Sequence, residues 1–289
     1  MNFREKLQAG AFTVTAEIGP PKGIETSRIL EEAELIRGRI DAISVTDLQG
    51  SVMRLGALAV CILLKQNHFE LIYQITCRDR NRLALQSDLL SAAVFNIENI
   101  LILTGDHPML GDHPEAKPVF DLDSVHLLRV AGDLQKGKDM KGNRLAGEAP
   151  YFYPGAVVNP GAEPIEPEII KMEKKIAAGA KFFITQAVYD IKVLEKFLQR
   201  TRYLKIPIIA GIIMLKSSVM AYHLKAKIPG VFVPDSLVRE MENTKDRYKQ
   251  SIEITGRLIR QFRRVCHGVH IMPIGWNRFL PQVLEEGGL

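Results

Sequence analysis

Polar side chains end several apolar segments of this sequence, and their types suit proton transfer and recognition of a heterocycle. Glu17, Asp47, Asp106 and Gln186 each follow such a segment. A carboxyl group partly withdrawn from water has a raised pKa and can act as a general acid. A neutral amide offers a donor and an acceptor side by side, which suits the edge of a heterocycle. Each side chain alone could equally tie down a loop or cap a turn. Whether they have a chemical role therefore depends on whether they lie close together.

The apolar segments before these side chains are typical of parallel strands. Strand starts fall near residues 13, 42, 71 and 99, about 28 residues apart, with helical patterns between them. Further strands are predicted over 152–158, 181–185, 206–213 and 268–272. Alternating strands and helices of this size indicate βαβ crossovers, and continuous apolar strands indicate a sheet covered on both faces. We therefore predict an α/β fold, a single (β/α)8 TIM barrel over residues 1–289, with a doubly wound open sheet as the competing arrangement.

In such a barrel the chemistry lies at the C-terminal ends of the strands, where these polar side chains would meet. Residues 104–120 are rich in Gly, Pro, Asp and His without periodicity, and their length is typical of a lid or binding loop. Near the end of the chain, the pattern predicts one long helix over 244–266 and a closing helix over 276–284.

Composition and charge narrow the function classes. Hydrophobic residues make up 46% of the chain and charged residues 25%, which is ordinary for a globular protein. The net charge is +5, but the basic residues are dispersed among acids, which favours a solvated surface over a nucleic-acid site. No apolar run reaches membrane-spanning length and no signal peptide is evident, so we expect a cytoplasmic protein without a membrane partner.

The cysteines and histidines do not predict a metal centre or a disulfide. Cys61, Cys77 and Cys266 are scattered through the chain, and Cys77 is interpreted as a buried structural thiol. His267 and His270 are three residues apart on a predicted strand, which turns them to opposite faces. We predict no metal site, and no dinucleotide or Walker A glycine motif follows any strand.

Several segments, in order, resemble the methylenetetrahydrofolate reductase family along almost the whole chain. The matching pieces are Ala16-Glu17 with Pro20-Pro21, Ser44-Val45-Thr46, Ile75-Thr76-Cys77, Gly105-Asp106, Lys174-Lys175, Ala178-Gly179-Ala180, Ile184-Thr185-Gln186 with Asp190, and Asn277-Arg278. The resemblance implies a flavin-containing (β/α)8 barrel that reduces 5,10-methylenetetrahydrofolate to 5-methyltetrahydrofolate, or runs the reverse reaction. It implies FAD as cofactor and a place in one-carbon metabolism and methionine biosynthesis, in a protein that we expect to be an oligomer.

The resemblance also implies residue roles. Glu17 corresponds to the general acid, Asp106 to the acid that stabilises a cationic intermediate, and Gln186 to an amide that contacts the folate. Glu17, Gln186 and Arg278 would bind the substrate. The flavin would be bound by Thr46, Asp47, Gln74, Thr104, Gly105, Asp106, Phe120, Asn159, Glu168 and Lys175.

The sequence departs from the family pattern at several positions. Ile18 and Gly19 replace two aromatic residues, Gln74 replaces a His, Thr104 an Arg, and Asn159 a Tyr. Residues 214–218 lack the aromatic that helps to fold a nicotinamide dinucleotide. We therefore expect electrons from a partner electron-transfer subunit or a ferredoxin-type carrier, with NAD(P)H as the simpler alternative.

Two other functions remain open on the sequence. A folate-binding methyltransferase barrel that passes a methyl group to a corrinoid protein would bind pterin at the same rim without a flavin. A non-catalytic partner subunit could retain the barrel alone, although the presence of Glu17, Asp106 and Gln186 disfavours it.

Overall fold

Eight parallel strands close into a barrel in the computed structural model, which describes residues 1–289. The strands are β1 (Thr13–Ile18), β2 (Ala42–Val45), β3 (Leu71–Thr76), β4 (Asn99–Leu103), β5 (Tyr153–Val158), β6 (Phe182–Ala187), β7 (Ile208–Ile213) and β8 (Gly268–Met272). Because β1 pairs with β8 as well as with β2, the sheet has no free edge. The predicted (β/α)8 barrel is confirmed, and the open doubly wound sheet is wrong.

Helices surround the barrel, and the first of the eleven closes its lower end. They are α1 (Phe3–Gln8), α2 (Ser27–Glu34), α3 (Ala57–Gln66), α4 (Arg82–Val94), α5 (Ser124–Leu134), α6 (Glu166–Ala177), α7 (Ile191–Thr201), α8 (Ser218–Lys227), α9 (Asp235–Asn243), α10 (Arg247–Phe262) and α11 (Leu280–Glu286). None of them combines the length and the apolar character that crossing a bilayer requires. Most of the buried apolar side chains form one core between the strands and these helices.

The long helix predicted over 244–266 is present as α10, with shorter bounds. It is preceded by α9, which the sequence pattern did not reveal. Thr244 between them is extended, with φ −80° and ψ 141°. Asp246 then begins α10, because its carboxylate accepts from the backbone N–H groups of Tyr248 and Lys249 at 3.0 and 3.1 Å.

The lower half of the barrel interior is apolar and is closed from below by α1. Phe3 and Leu7 of α1 pack on inward side chains of the strands in a separate cluster. The ring of Phe3 meets that of Phe182 edge to face at 5.3 Å. Asn2 and Glu5 form a capping box that begins this helix. Helix α1 was not predicted from the sequence. Because it closes the lower end of the barrel, only the upper end is open.

The upper half of the interior is polar. Side chains alternate along each strand between the interior and the helices, and Val14, Ala16 and Ile18 of β1 belong to the outer core. The inward positions of the upper strands carry Thr15, Glu17, Ser44, Gln74, Gln186 and His270. Because the lower interior is filled by apolar side chains, a polar ligand can bind only at the upper end of the barrel.

Candidate active site

A cavity of about 420 Å³ opens at the C-terminal mouth of the barrel. It is lined by most of the residues predicted from the sequence, namely Glu17, Asp47, Gln74, Thr104, Gly105, Asp106, Asn159, Glu168, Lys175 and Gln186. These residues come from strands and loops spread over 170 positions of the chain, so closure of the barrel is what brings them together.

The carboxyl group of Glu17 lies near the end of β1, buried and held by amide donors. Gln74 donates from Nε2 to Oε1 at 3.1 Å, and Gln49 donates from Nε2 to Oε2 at 3.0 Å. Gln74 also contacts the hydroxyl of Ser44 at 3.0 Å. Asn277 donates to the backbone carbonyl of Glu17 at 2.8 Å. A buried carboxyl group supported on both oxygens has a fixed orientation toward the cavity.

His270 of β8 is a site residue that the sequence analysis missed. Its Nε2 lies 3.3 Å from Oε1 of Glu17, and its Nδ1 lies 2.9 Å from the hydroxyl of Thr15. In the sequence, His270 suggests only a metal pair with His267, and no group of His, Cys, Asp and Glu suitable for a metal ion is present in the structure. The signal was the inward register of β8 beside β1, which pairs Thr15 with His270.

Asp106 and Gln186 are exposed at the cavity rim, and neither side chain makes a hydrogen bond or an ion pair within the protein. Gln186 sits where the register between β6 and β7 shifts, between Ile184 and Ala187. Such an irregularity re-aims a side chain at a barrel rim. Both polar groups therefore remain free to bind a ligand.

Asp47 lines the same cavity, but its carboxylate is already occupied. Oδ2 accepts from the backbone N–H and the hydroxyl of Thr76, both at 2.9 Å, and from Arg80 at 2.7 Å. Oδ1 accepts from a second Arg80 nitrogen at 3.1 Å. The Asp47 carboxylate thus joins the end of β2 to the β3 loop, which positions this part of the wall.

The opposite wall carries a buried cation. The Lys175 ammonium donates to the carbonyl of Val157 at 2.7 Å and has no carboxylate partner. Burial lowers the pKa of Lys175. Glu168 accepts from the backbone N–H of Asn159 at 3.2 Å. The amide of Asn159 donates to the carbonyl of Pro229 at 2.9 Å, so it also ties two loops together.

Three predicted site residues do not line the cavity. Thr46 is buried, and its hydroxyl has no hydrogen-bond partner. Phe120 is half-buried at φ 39°, with its ring 6.4 Å from that of His107. Arg278 is exposed, and its guanidinium lies 4.7 Å from the ring centroid of Phe279. These three side chains are therefore not part of the cavity wall.

The long loop after β4, predicted as a lid or binding loop, is anchored on the loop after β2. The hydroxyl of Ser51 donates to the carbonyl of Asp106 at 3.1 Å, and the Met53 N–H donates to Asp112 at 2.9 Å. A Cβ at Gly111 would lie 1.8 Å from the carbonyl oxygen of Ser51. The close approach requires glycine there, and these contacts hold Asp106 at the rim.

Comparison with known proteins identifies the family of this chain. The family model described as methylenetetrahydrofolate reductase matches residues 2–288. The chain belongs to the methylenetetrahydrofolate reductase family. Methylenetetrahydrofolate reductase 2 of Schizosaccharomyces pombe is 23% identical, over 99% of this chain and 47% of that protein. A probable methylenetetrahydrofolate reductase (NADPH) of Caenorhabditis elegans is 25% identical, over 74% of this chain and 32% of that protein.

The chain therefore spans about half the length, or less, of these two reductase relatives. Among solved structures, a Clostridium thermocellum protein that binds two copies of 5-methyl-5,6,7,8-tetrahydrofolic acid superposes with a TM-score of 0.68. It is 18% identical, and the match covers 98% of each chain. At that identity the likeness supports the barrel fold of this reductase-family member.

Proposed function

We propose that this protein interconverts 5,10-methylenetetrahydrofolate and 5-methyltetrahydrofolate with a bound flavin, at the C-terminal mouth of one barrel domain. The observation that carries the proposal is the convergence of Glu17, Asp106 and Gln186 on one cavity. A buried carboxyl group, a free carboxylate and a free amide are the groups that this reaction requires. Folate binding by the Clostridium thermocellum neighbour is consistent with the substrate.

Each side chain has a distinct proposed role. Glu17 protonates a nitrogen of the methylene bridge, which opens the ring to an iminium cation, and the Gln49 and Gln74 amides stabilise the carboxylate that remains. Asp106 stabilises the cation, because its negative charge faces the same cavity. Gln186 binds the pterin edge through its unpaired amide.

The residues present fit FAD. The buried Lys175 ammonium has three donors and uses one on Val157, so two remain for a pyrophosphate oxygen. Gly105, at φ 91°, lets the backbone approach a ligand closely. When bound, the flavin supplies the hydride that reduces the methylene carbon. Asp47 would shape the wall beside these contacts, whereas Thr46 and Phe120 lie outside the cavity lining.

We further propose that electrons come from a partner electron-transfer subunit or a ferredoxin-type carrier. No Phe, Tyr or Trp lines the cavity, so a folded nicotinamide dinucleotide would find no ring to stack on. NAD(P)H remains the competing donor. Fast NADH oxidation by the purified chain, with menadione as acceptor, would contradict this part of the proposal.

The test of the reaction is Glu17→Gln, with the exposed Glu195→Gln as a control for loss of one charge. We expect Glu17→Gln to retain flavin and to accept electrons at the wild-type rate. Flavin reoxidation by methylenetetrahydrofolate should fall about 10²- to 10⁴-fold, the usual contribution of a general acid. Glu195→Gln should match the wild type in both steps.

The absorbance spectrum of the purified protein provides a second test. An absorbance band of bound flavin at about 450 nm is expected for the reductase. A colourless protein that transfers a methyl group from 5-methyltetrahydrofolate to a corrinoid protein would instead favour the methyltransferase. Loss of flavin in Glu17→Gln would contradict the role proposed for Glu17, because it would make this side chain structural.

A further inference from the structure

A buried imidazole inside the barrel has no role in the mechanism above. His270 is 1% exposed and lies between Thr15 and Glu17 of the neighbouring strand. On its other side, β7 presents Gly211, which has no side chain. A buried histidine requires partners for both ring nitrogens, and the structure supplies one on each side.

The distances favour one tautomer of the neutral His270 ring. The Thr15 hydroxyl has one hydrogen to donate and lies 2.9 Å from Nδ1 of His270 but 3.4 Å from the carbonyl oxygen of Val269. The shorter contact favours donation to Nδ1, so in the neutral ring the proton resides on Nε2. That N–H faces Oε1 of Glu17 at 3.3 Å. Such contacts are often long in ligand-free sites and shorten in the reacting complex.

Glu17 is the one ionisable group that hydrogen-bonds to the ring. The contacts from β1 are those of Thr15 and Glu17, and β7 contributes no charge. The other charged groups lining the cavity make no hydrogen bond or ion pair with His270, namely Asp47, Arg78, Asp106, Glu168, Lys171 and Lys175. Among the charged groups of the cavity, the imidazole therefore contacts Glu17 alone.

We propose that His270 is a positioning residue for Glu17. Its Nε2–H orients the carboxyl group toward the cavity and stabilises the carboxylate that remains after proton delivery, while Thr15 fixes the tautomer that makes this possible. The inference rests on the acid role of Glu17 in the proposed function. The His270 ring adds a third donor to the two amides of Gln49 and Gln74. A set of prearranged donors stabilises negative charge that develops on an oxygen in the transition state.

Two substitutions of similar polarity separate this role from simple packing. The amide nitrogen of Gln reaches the position of Nε2, whereas the shorter Asn reproduces only the Nδ1 side facing Thr15. We expect His270→Asn to slow flavin reoxidation by methylenetetrahydrofolate by about 10- to 100-fold, the range for losing a hydrogen bond to a charged group. His270→Gln should retain more activity, within about 10-fold of the wild type. The KM for the folate and the rate of flavin reduction should change little in either variant.

Equal losses in His270→Asn and His270→Gln would overturn the inference, because packing alone would then explain both. Thr15→Val should slow flavin reoxidation by methylenetetrahydrofolate to a smaller extent. The His270 ring stays in place, but its Nδ1 loses the hydroxyl that fixes the tautomer.

A measurement without turnover separates this inference from the reaction itself. In 15N NMR of the ligand-free protein, the His270 signal is identified by its loss in His270→Gln. It should report a protonated Nε2 and a bare Nδ1, and it should shift in Glu17→Gln. A proton on Nδ1 would overturn the inference. Wild-type protein that does not turn over folate would contradict the proposed function, while the spectrum would still decide whether His270 donates to Glu17.

Discussion

Substitution of Asp47 by Asn should destabilise the barrel strongly, although it changes one atom. The Asp47 side chain is 0% exposed and its partner Arg80 is 19% exposed. Its two oxygens accept four hydrogen bonds from Thr76 and Arg80. The cost of burying this carboxylate and the Arg80 guanidinium is offset only while the two charges and their hydrogen bonds remain paired.

An asparagine cannot satisfy the same donors. Its oxygen can replace Oδ2 and keep both bonds from Thr76, but its NH2 group then faces an Arg80 nitrogen 3.1 Å from the present Oδ1. Removing one partner of a buried ion pair costs about 3–5 kcal/mol. Asp88 still pairs with Arg80 at 2.8 Å, which places the expected loss near the lower limit, about 3 kcal/mol.

Urea unfolding of the ligand-free protein measures this loss, because bound ligand would add to the apparent stability. The matched control is Asp121→Asn, which breaks a bidentate pair with Arg82 at 2.8 Å whose side chains are 28% and 46% exposed. An exposed pair contributes about 0–1 kcal/mol. Equal losses of free energy in Asp47→Asn and Asp121→Asn would refute the argument that burial makes the Asp47 pair indispensable.

Further predictions concern the floor, the thiols and the rim. Phe3→Ala should cost about 3–5 kcal/mol in urea unfolding, because Phe3 is fully buried at the barrel floor. Burial raises the pKa of Cys77 to about 12, so iodoacetamide should leave it unmodified at pH 8 until the protein unfolds. A hydrogen bond from Lys22 is the main cause that lowers the pKa of Asp112. The contribution of the Asp112 carboxylate to anchoring the loop is therefore complete above a pH of about 4 and is lost as the pH falls below that value. Asp112→Asn should speed proteolysis of the long loop at pH 7. If a flavin binds as proposed, Asp106→Asn should raise its reduction potential in spectroscopic titration, because a nearby negative charge disfavours the anionic reduced form.

The fold was largely predictable because the parallel strands are apolar and evenly spaced. Strands β1 to β4 begin where the pattern predicts. The capping box of α1 was present in the sequence as Asn2 and Glu5, but a six-residue helix gives too little periodicity to recognise. Helix α9 was not predicted because its nine residues, which end before the extended backbone at Thr244, give only a short periodic pattern.

Ten of the predicted site residues line the cavity, but the sequence did not show which of them are free to bind a ligand. Asp47 and Asp106 both follow strands and look alike in the sequence. In the structure, the carboxylate of Asp47 is occupied by four donors, whereas that of Asp106 is free. His270 escaped recognition because its partner Glu17 is 253 positions away, and only closure of β8 on β1 makes them neighbours.

The arrangement of polar groups divides the site into a fixed part and an adjustable part. Glu17 is buried, and two of its donors are themselves held by other groups, Gln74 by Ser44 and His270 by Thr15. Such a network avoids the cost of an unpaired buried polar group and keeps its geometry before any ligand arrives. Asp106 and Gln186 stand at the rim without partners in the protein, so a ligand can pair with them without breaking existing bonds. In the proposed reaction, proton delivery would use the fixed group and ligand recognition the free groups, which lie at different depths of one cavity.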